Sequence, residues 1–174
     1  MSNNLAENLF IITAPSGAGK TTLIKNVIEF AKTKDKKVFM SVSHTTRTPR
    51  SSELDGTDYF FINKEQFMFN INDQVYLEHA IVHGNLYGTP KQPIEQNLEN
   101  GFKVLLEIDW QGAMEILKTY PEAQSIFISP PSIKELHKRL HDRGLDSEEV
   151  IVERIDGAKL EMEKSSEFKY QIIN

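Results

Sequence analysis

Residues 9–22 read LFIITAPSGAGKTT and decide the fold of the chain. The apolar run Leu9 to Ile12 is typical of a short strand buried on both faces, and the turn formers at 14–17 end it. After this turn, apolar side chains return at helical spacing, at Leu23, Ile24, Val27, Ile28 and Ala31. The basic stretch 32–37 suits the C-terminal end of that helix. The segment therefore predicts a strand, a glycine-rich loop and a helix in direct succession.

The loop from Ala14 to Thr21 matches the phosphate-binding pattern Gly-x-x-x-x-Gly-Lys-Ser/Thr, with alanine in the first position. Such a loop surrounds phosphates with backbone N–H groups at a helix N-terminus. Lys20 would neutralise the terminal phosphates of a nucleotide, and the Thr21 hydroxyl would ligate Mg²⁺. An ordinary glycine-rich turn is the alternative, but the flanking strand and helix favour phosphate binding. We predict that nucleotide phosphates are bound by Ala14, Pro15, Ser16, Gly17, Ala18, Gly19, Lys20, Thr21 and Thr22.

Strands and helices alternate in the rest of the chain. Buried strands are predicted over 103–109 and 125–129, and a last strand over 170–173. Helices are predicted from about Lys91 to Gly101, from Ser132 to about Arg143 with Gly144 after it, and from 146–149 onward. This alternation implies an α/β fold in which helices cover both faces of a parallel sheet, with ligands at the carboxyl ends of the strands.

The stretch from Ser41 to Gly88 breaks this alternation. Its aromatic segments, 59–62 and 76–82, predict a small mixed insertion at the rim of the sheet rather than a second domain. The whole length of 174 residues suits one domain.

Composition excludes several classes of function. The chain has no cysteine, which rules out disulfides, thiolate catalysis and cysteine-ligated metals and suits an intracellular protein. The net charge of −5 argues against nonspecific nucleic-acid binding. No apolar run approaches a membrane span and no leader pattern precedes the first strand. We therefore expect a soluble cytoplasmic protein without nucleic-acid or membrane partners; its oligomeric state is left open.

Further motifs carry a resemblance to a known family. They are SVSHTTRTPR at 41–50, DYFF at 58–61, LEHA at 77–80, GNLYGT at 84–89, IDWQG at 108–112 and RLHDRG at 139–144. Together with the phosphate loop (residues 14–21) they resemble the guanylate kinases, in the order of that family and over nearly the whole chain. The resemblance implies a P-loop NTPase fold, and it implies ATP and GMP as substrates, with Mg²⁺ bound alongside ATP.

The resemblance also implies the GMP site, at Ser43, Arg47, Arg50, Tyr59, Glu78, Tyr87, Thr89 and Asp109. The chemistry fits, because two guanidiniums and two phenols form a good receptor for a phosphate dianion. A carboxylate at Glu78 can accept hydrogen bonds from N1–H and the exocyclic amine of guanine, which adenine does not offer together. A solvated arginine or an exposed strand glutamate is the ordinary alternative for each residue taken alone.

The catalytic residues implied by the family are Lys20, Arg139, Arg143 and Arg154. The three arginines match a helical lid and its neighbouring helix, and they would close on the phosphates and stabilise the transferring charge. The resemblance divides the chain into a core at about 8–40, 90–130 and 150–174, a GMP-binding insertion at about 41–89 and a lid at about 132–150. All of these belong to one guanylate-kinase-like domain over 1–174.

Two departures from the family pattern stand out. Glu107 replaces an aspartate that the family commonly has there, so it is left out of the predicted site. The family also continues after the last strand into an acidic pair and a final helix, which this sequence lacks.

The implied reaction is attack by a GMP phosphate oxygen on the γ-phosphorus of MgATP. Two other readings remain open at this point. A scaffold module could use the GMP site to bind phosphopeptides, although it would not need a complete phosphate loop and lid. A related kinase could take a non-guanine acceptor, which Glu78 and Ser43 argue against.

Overall fold

The computed structural model describes residues 3–82, 84–144 and 146–174. The strands are β1 (Leu9–Thr13), β2 (Val38–Met40), β3 (His44–Thr45), β4 (Phe60–Phe61), β5 (Tyr76–Val82), β6 (Asn85–Pro90), β7 (Lys103–Glu107), β8 (Gln124–Ser129) and β9 (Tyr170–Ile173). The helices are α1 (Asn3–Ala6), α2 (Lys20–Thr33), α3 (Lys64–Asn72), α4 (Lys91–Glu99), α5 (Trp110–Thr119), α6 (Ile133–Asp142) and α7 (Glu148–Glu163), followed by a 3₁₀ turn at Ser165–Glu167.

The central sheet has five parallel strands in the order β2-β7-β1-β8-β9. Successive side chains of β1 are buried on opposite faces, as expected for a strand between two helical layers. Leu9 and Ile11 pack with α4 and α5, whereas Ile12 packs with Ile24 of α2. The sequence prediction of a P-loop α/β fold with a parallel sheet between helices is confirmed, and β1 lies at the middle of that sheet.

One strand prediction was too long. The sequence favours a strand over 103–109, but β7 ends at Glu107. Asp109 instead caps α5, because its side chain accepts a hydrogen bond from the Gly112 N–H at 2.9 Å. A short carboxylate that binds the free N–H groups of a helix end competes with extended structure. Asp109 therefore starts a helix at the carboxyl edge of the sheet.

The second sheet has four strands in the order β4-β3-β6-β5. Strand β3 is parallel to β4 and antiparallel to β6, and β5 and β6 are antiparallel to each other. Both aromatic segments singled out in the sequence lie in or beside this sheet, so the predicted mixed character is confirmed. Strand β6 continues into α4, whose apolar side packs on the central sheet.

Helices α6 and α7 form a separate apolar cluster with the side chains Leu136, Leu140, Ile151, Ile155 and Ala158. Ser132 caps α6 by accepting from the Glu135 N–H, as the sequence predicts. This cluster reaches the phosphate loop at Gly17, where an added Cβ would lie 2.9 Å from Leu140 Cδ2 and 3.0 Å from Leu136 Cδ1. The phosphate loop is therefore packed directly against the helix pair.

None of the helices within the described ranges is long and apolar enough to cross a membrane.

Candidate active site

The phosphate loop connects β1 to α2 at the carboxyl edge of the central sheet. Gly17 and Gly19 have φ angles of +89° and +86°, which disfavour any residue with a side chain. Gly19 is also the N-cap residue of α2, and it provides no side-chain hydrogen bond to cap this helix N-terminus. Ala18 is fully buried and donates its N–H to Pro15 O at 3.1 Å. The loop thus exposes a helix N-terminus suited to anions.

Lys20 and Thr21, the first residues of α2, meet strand β7. Lys20 Nζ donates to Ile108 O at 3.3 Å and lies 3.9 Å from Glu107 Oε1. Thr21 Oγ1 donates to the same Glu107 oxygen at 2.7 Å. A hydroxyl and a carboxylate at this distance provide the oxygen donors that Mg²⁺ prefers, and such sites take their remaining ligands from water and substrate phosphates. Glu107, which sequence reasoning left out, therefore belongs to this site.

The three arginines predicted to be catalytic occupy different positions. Arg154 on α7 donates to Ser16 Oγ of the phosphate loop at 2.9 Å and pairs with Asp146 Oδ1 at 3.0 Å. Arg143 follows α6 and faces the cavity described below. Arg139 pairs with Glu135 at 3.0 Å and donates to Asn174 O at 3.0 Å. Arg154 therefore contacts the phosphate loop and Arg143 faces the cavity that this loop lines, while Arg139 is held at the end of β9.

Asn174, directly after β9, also contacts the phosphate loop. Its side-chain Nδ2 donates to Ala18 O at 2.9 Å, and its backbone N–H donates to Ser129 O at 2.9 Å. An added Cβ on Gly19 would lie 2.5 Å from that Nδ2 atom. The end of β9 thus supports the loop, a contact for which the sequence carries no local signal.

The Glu78 carboxyl lies buried between the second sheet and α5, with 6% of the residue exposed. Thr89 donates a short hydrogen bond to Glu78 Oε1, and Ser43 Oγ lies 3.4 Å from Thr89 Oγ1. The pKa of Glu78 is raised to about 7, chiefly by burial and to a smaller extent by the charges of Asp109 and Glu115, against the Thr89 hydrogen bond, which lowers it. Three of the predicted GMP residues therefore form one connected polar group in the interior.

The two predicted phosphate-binding arginines differ in their surroundings. Arg47 donates to Tyr87 OH at 3.1 Å, to Thr48 O at 2.8 Å and to both oxygens of Glu53 at 2.9 and 2.7 Å. Its side chain is 16% exposed, whereas that of Arg50 is 48% exposed and lies 3.6 Å from Glu53. Arg47 is therefore engaged within the protein, and Arg50 is the more accessible of the two guanidiniums.

Glu53 connects both arginines within the loop that follows β3. Besides the Arg47 pair it accepts the Arg50 backbone N–H at 2.7 Å. Burial alone would raise the pKa of Glu53, but hydrogen bonds from Arg47 and from the Arg50 backbone lower it overall. The sequence places Glu53 near the arginines without indicating that it is their partner, because the pairing depends on how the loop after β3 turns back.

Tyr59 and Tyr87 lie next to this arginine pair. Their rings meet edge to face with centroids 5.8 Å apart, and the Arg47 guanidinium lies 5.4 Å from the Tyr59 ring centroid. Burial raises the pKa of Tyr59 to about 12, and the charges of Glu107 and Tyr87 add to the shift. Tyr59 therefore stays protonated and able to donate a hydrogen bond at neutral pH.

A single cavity of about 550 Å³ joins the two predicted sites. The phosphate loop lines one side of it, and the second sheet with its flanking segments lines the other through Ser43, Arg50, Tyr59, Glu78 and Tyr87. Asp109, Arg143 and Arg154 also face it. Arg47, Thr89 and Arg139 do not line it: Arg47 and Thr89 lie behind its wall, and Arg139 lies at β9. An adjoining cavity of about 530 Å³ shares Thr21, Arg50, Glu107 and Arg143.

Glu161 of α7 also lines the larger cavity and was not predicted from sequence. Burial raises its pKa to about 7; the charge of Lys20 lowers it and that of Asp109 raises it. In the described part of the chain, no three or more His, Cys, Asp or Glu side chains are grouped to hold a metal ion. His83 lies outside the described residues.

A phosphate loop and a side-chain pocket for a second nucleotide, opening into one cavity, define a phosphotransferase of the nucleoside monophosphate kinase type. The sequence model of the family "Guanylate kinase" matches residues 6–174. The guanylate kinases of Salmonella typhimurium and Escherichia coli K12 are each 50% identical over 166 residues, which span 95% of this chain and 79% of the relative. A solved guanylate kinase from Anaplasma phagocytophilum is 33% identical, with a TM-score of 0.74 over 95% of this chain and 76% of that one. The chain belongs to the guanylate kinase family.

Proposed function

We infer that the protein transfers the γ-phosphoryl group of ATP to GMP, giving ADP and GDP in purine nucleotide metabolism. The observation that supports this most is the shared cavity, since the phosphate loop and the Glu78 pocket open into the same space. A donor nucleotide and an acceptor nucleotide can then meet with their phosphates adjacent, which is the arrangement that phosphoryl transfer requires. We place the reaction in the cytoplasm.

The donor side consists of the phosphate loop and its neighbours. Backbone N–H groups at the N-terminus of α2 bind the phosphates of ATP, and Lys20 neutralises the β and γ oxygens. Thr21 and Glu107, 2.7 Å apart, would hold the Mg²⁺ that accompanies ATP. When bound, this ion supplies charge neutralisation on the β and γ phosphates. Arg143 and Arg154 face the same space and offset charge on the transferring group.

The acceptor side binds GMP by its phosphate and by its base. Arg50, Tyr59 and Tyr87 contact the phosphate, and Arg47 holds the Tyr87 hydroxyl in place from behind. Ionised Glu78 accepts from N1–H and the exocyclic amine of guanine, while Ser43 lines the base pocket and Thr89 supports Glu78 and Ser43 from behind it. Asp109 lies at the boundary between base and phosphates.

No covalent intermediate with the protein is needed. An oxygen of the GMP phosphate attacks the γ-phosphorus in line, a new P–O bond forms, and the bond to the β,γ-bridging oxygen breaks. The electron pair of that bond leaves with ADP, so atoms and charge balance without a protein nucleophile. Catalysis consists of alignment, charge neutralisation and exclusion of water that would otherwise hydrolyse ATP.

We also propose that residues 1–174 work as one catalytic unit with a lid at about 132–150. Helix α6 and the start of α7 fall in this range. The packing of Leu136 and Leu140 of α6 against Gly17 would link a movement of the lid to the phosphate loop. Arg139, held by Glu135 and Asn174, would reach the phosphates only if this segment moves.

An acceptor screen tests the proposed function. The purified protein is given MgATP with GMP, AMP, CMP or UMP in turn, and ADP formation is measured with Glu78→Gln as the comparison variant. We expect GMP to be used about 10⁴-fold better than AMP, because AMP would place a lone pair against the buried carboxylate. We expect Glu78→Gln to erode that preference. Equal use of several acceptors, or a preference unchanged in Glu78→Gln, would contradict the base-recognition role.

A further inference from the structure

Gly112 is the third residue of α5, and its backbone conformation does not require glycine. It lies inside a helix and is not among the glycines with positive φ. Glycine in a helix interior costs about 1 kcal/mol relative to alanine. A reason for it must therefore lie in what surrounds it.

The surroundings of Gly112 are carboxylates. An added Cβ would lie 2.8 Å from Glu78 Cδ, closer still to Glu78 Oε2, and 3.3 Å from Asp109 Oδ1. No backbone atom is among these nearest neighbours. Helix α5 could therefore accept a side chain at this position, whereas the Glu78 carboxyl could not stay where it is.

The opposite side of Glu78 is closed as well. Thr89, which is fully buried, donates to Oε1, and Ser43 supports Thr89. The carboxyl is thus held between a hydroxyl on the second sheet and the bare Cα of Gly112. Helix α5 packs against β5, the strand that carries Glu78, and Gly112 meets the Glu78 carboxyl in this contact.

We propose that Gly112 is a positioning residue that sets the depth of the Glu78 carboxyl and thereby the selection of guanine over adenine. The inference rests on the proposed role of Glu78 in reading the base. A Cβ at position 112 would push Glu78 Cδ from 2.8 Å to at least the 3.4 Å of ordinary contact, toward the space that guanine needs. Displacements of this order disturb hydrogen-bond geometry strongly, because such bonds are directional and short.

The test compares two glycine-to-alanine changes in helices. Gly112→Ala introduces the contact, and Gly157→Ala in α7 is the matched control, because a Cβ there would meet nothing within 4 Å. For both variants kcat and KM are measured with GMP, AMP and ATP, together with the melting temperature.

For Gly112→Ala we expect KM for GMP to rise about tenfold or more and the GMP-to-AMP ratio of kcat/KM to fall by a similar factor. KM for ATP should stay within about twofold, since the donor side is untouched. Gly157→Ala should match the original protein in kcat and KM and should melt at a slightly higher temperature, because alanine favours a helix over glycine. An unchanged GMP-to-AMP ratio in Gly112→Ala would overturn the proposal, as would equal losses for GMP and ATP.

Two further variants separate this proposal from the one on which it rests. If Glu78→Gln lowers the GMP-to-AMP ratio but Gly112→Ala does not, only the role of Gly112 fails. If Glu78→Gln leaves the ratio unchanged, base reading by Glu78 fails and the role of Gly112 fails with it. Should Gly112→Ala not fold, Gly112→Ala with Glu78→Ala removes the contact and should recover the fold. A double variant that is equally unstable would overturn the proposal.

Discussion

The phosphate-loop side of the cavity presents backbone N–H groups to an anion, whereas the acceptor side presents side chains. The loop depends on two glycines with left-handed backbone, Gly17 and Gly19, and on the N-terminus of α2. The acceptor side depends on hydrogen bonds between side chains, such as the Arg47–Glu53 pair and the Thr89–Glu78 contact. The first is therefore built from consecutive residues, whereas the second combines contacts of this kind with contacts between distant segments, such as Ser43–Thr89 and Arg47–Tyr87.

This difference determines how each side should respond to mutation. Backbone donors cannot be deleted by changing a side chain, so the main side-chain target on the donor side is the cation Lys20. On the acceptor side each side chain is held by another, so changing a residue that never contacts GMP should still weaken GMP binding. The predictions below test this contrast, beginning with the largest effect.

Lys20→Ala should abolish most of the phosphoryl transfer. It removes the cation expected to neutralise the transferring group, and deletion of one preorganised stabiliser costs about 10²-fold or more in kcat. The measurement is kcat at saturating MgATP and GMP, with circular dichroism as a check on the fold.

Lys32→Ala is the control for this variant, since Lys32 lies at the other end of α2 in an exposed pair with Glu29. It should behave like the original protein. Activity of Lys20→Ala within a few-fold of the original would remove Lys20 from the catalytic group.

Arg50→Ala should raise KM for GMP by roughly 10- to 100-fold, because hydrogen bonds to charged groups contribute about 1.5–3 kcal/mol. KM for ATP should change little. Initial-rate kinetics with each substrate varied in turn gives both values, and Arg50→Lys shows how much of the loss comes from charge alone. Equal weakening of both nucleotides would mean that Arg50 is not specific to the acceptor side.

The phosphate-loop side and the acceptor side also differ in how well the sequence predicts their structure. Strand β1, the phosphate loop and α2 were predicted because their signals are local: an apolar run, glycines and helical spacing in consecutive residues. Strand β9 was predicted for the same reason. Strand β7 was predicted two residues too long, because its apolar pattern does not show that Asp109 turns away to cap α5.

The acceptor side was predicted only through a resemblance to a family, and incompletely. The role of Glu53 depends on how the loop after β3 turns back to bring it to Arg47, and that of Gly112 depends on a contact with Glu78 in another element. Glu107 was left out because it is longer than the family's aspartate, yet its oxygen lies 2.7 Å from Thr21 Oγ1. Contacts of this kind depend on the folded structure and have no signature in a single sequence.

Glu53→Gln tests whether a residue that does not line the shared cavity affects the KM for GMP. The amide cannot provide two charged acceptors, so Arg47 loses its bidentate partner and the loop at Arg50 loosens. We expect KM for GMP to rise about tenfold while kcat changes less. Glu65→Gln, an exposed carboxyl on α3, serves as the control.

The direction of the change in KM for GMP distinguishes two roles for Glu53. If Glu53 competes with the GMP phosphate for the arginines, Glu53→Gln should bind GMP more tightly. A lower KM for GMP would therefore contradict the supporting role and identify Glu53 as a competitor.

The smallest predicted effect is the pH dependence of stability in the nucleotide-free protein. Glu78 on the acceptor side and Glu161 on the donor side both have pKa values of about 7 in the folded protein, against an ordinary value of 4.5. The folded protein therefore binds more protons than the unfolded chain between these values. The stabilisation is fully present below pH 4.5 and is lost as pH rises through about 7.

Between pH 6 and pH 8 each carboxyl should lower the free energy of unfolding by about 1 kcal/mol. Urea denaturation at both pH values measures this decrease, with Glu78→Gln and Glu161→Gln as the two single variants. Because glutamine resembles the protonated acid, each variant should remove about half of the decrease. If Glu161→Gln removes its share and Glu78→Gln does not, the Glu78 carboxyl is ionised at neutral pH, and the Thr89 hydrogen bond then outweighs the effect of burial. Ionised Glu78 is the form that accepts hydrogen bonds from guanine. That result would therefore mean that Glu78 is already in this form before GMP binds.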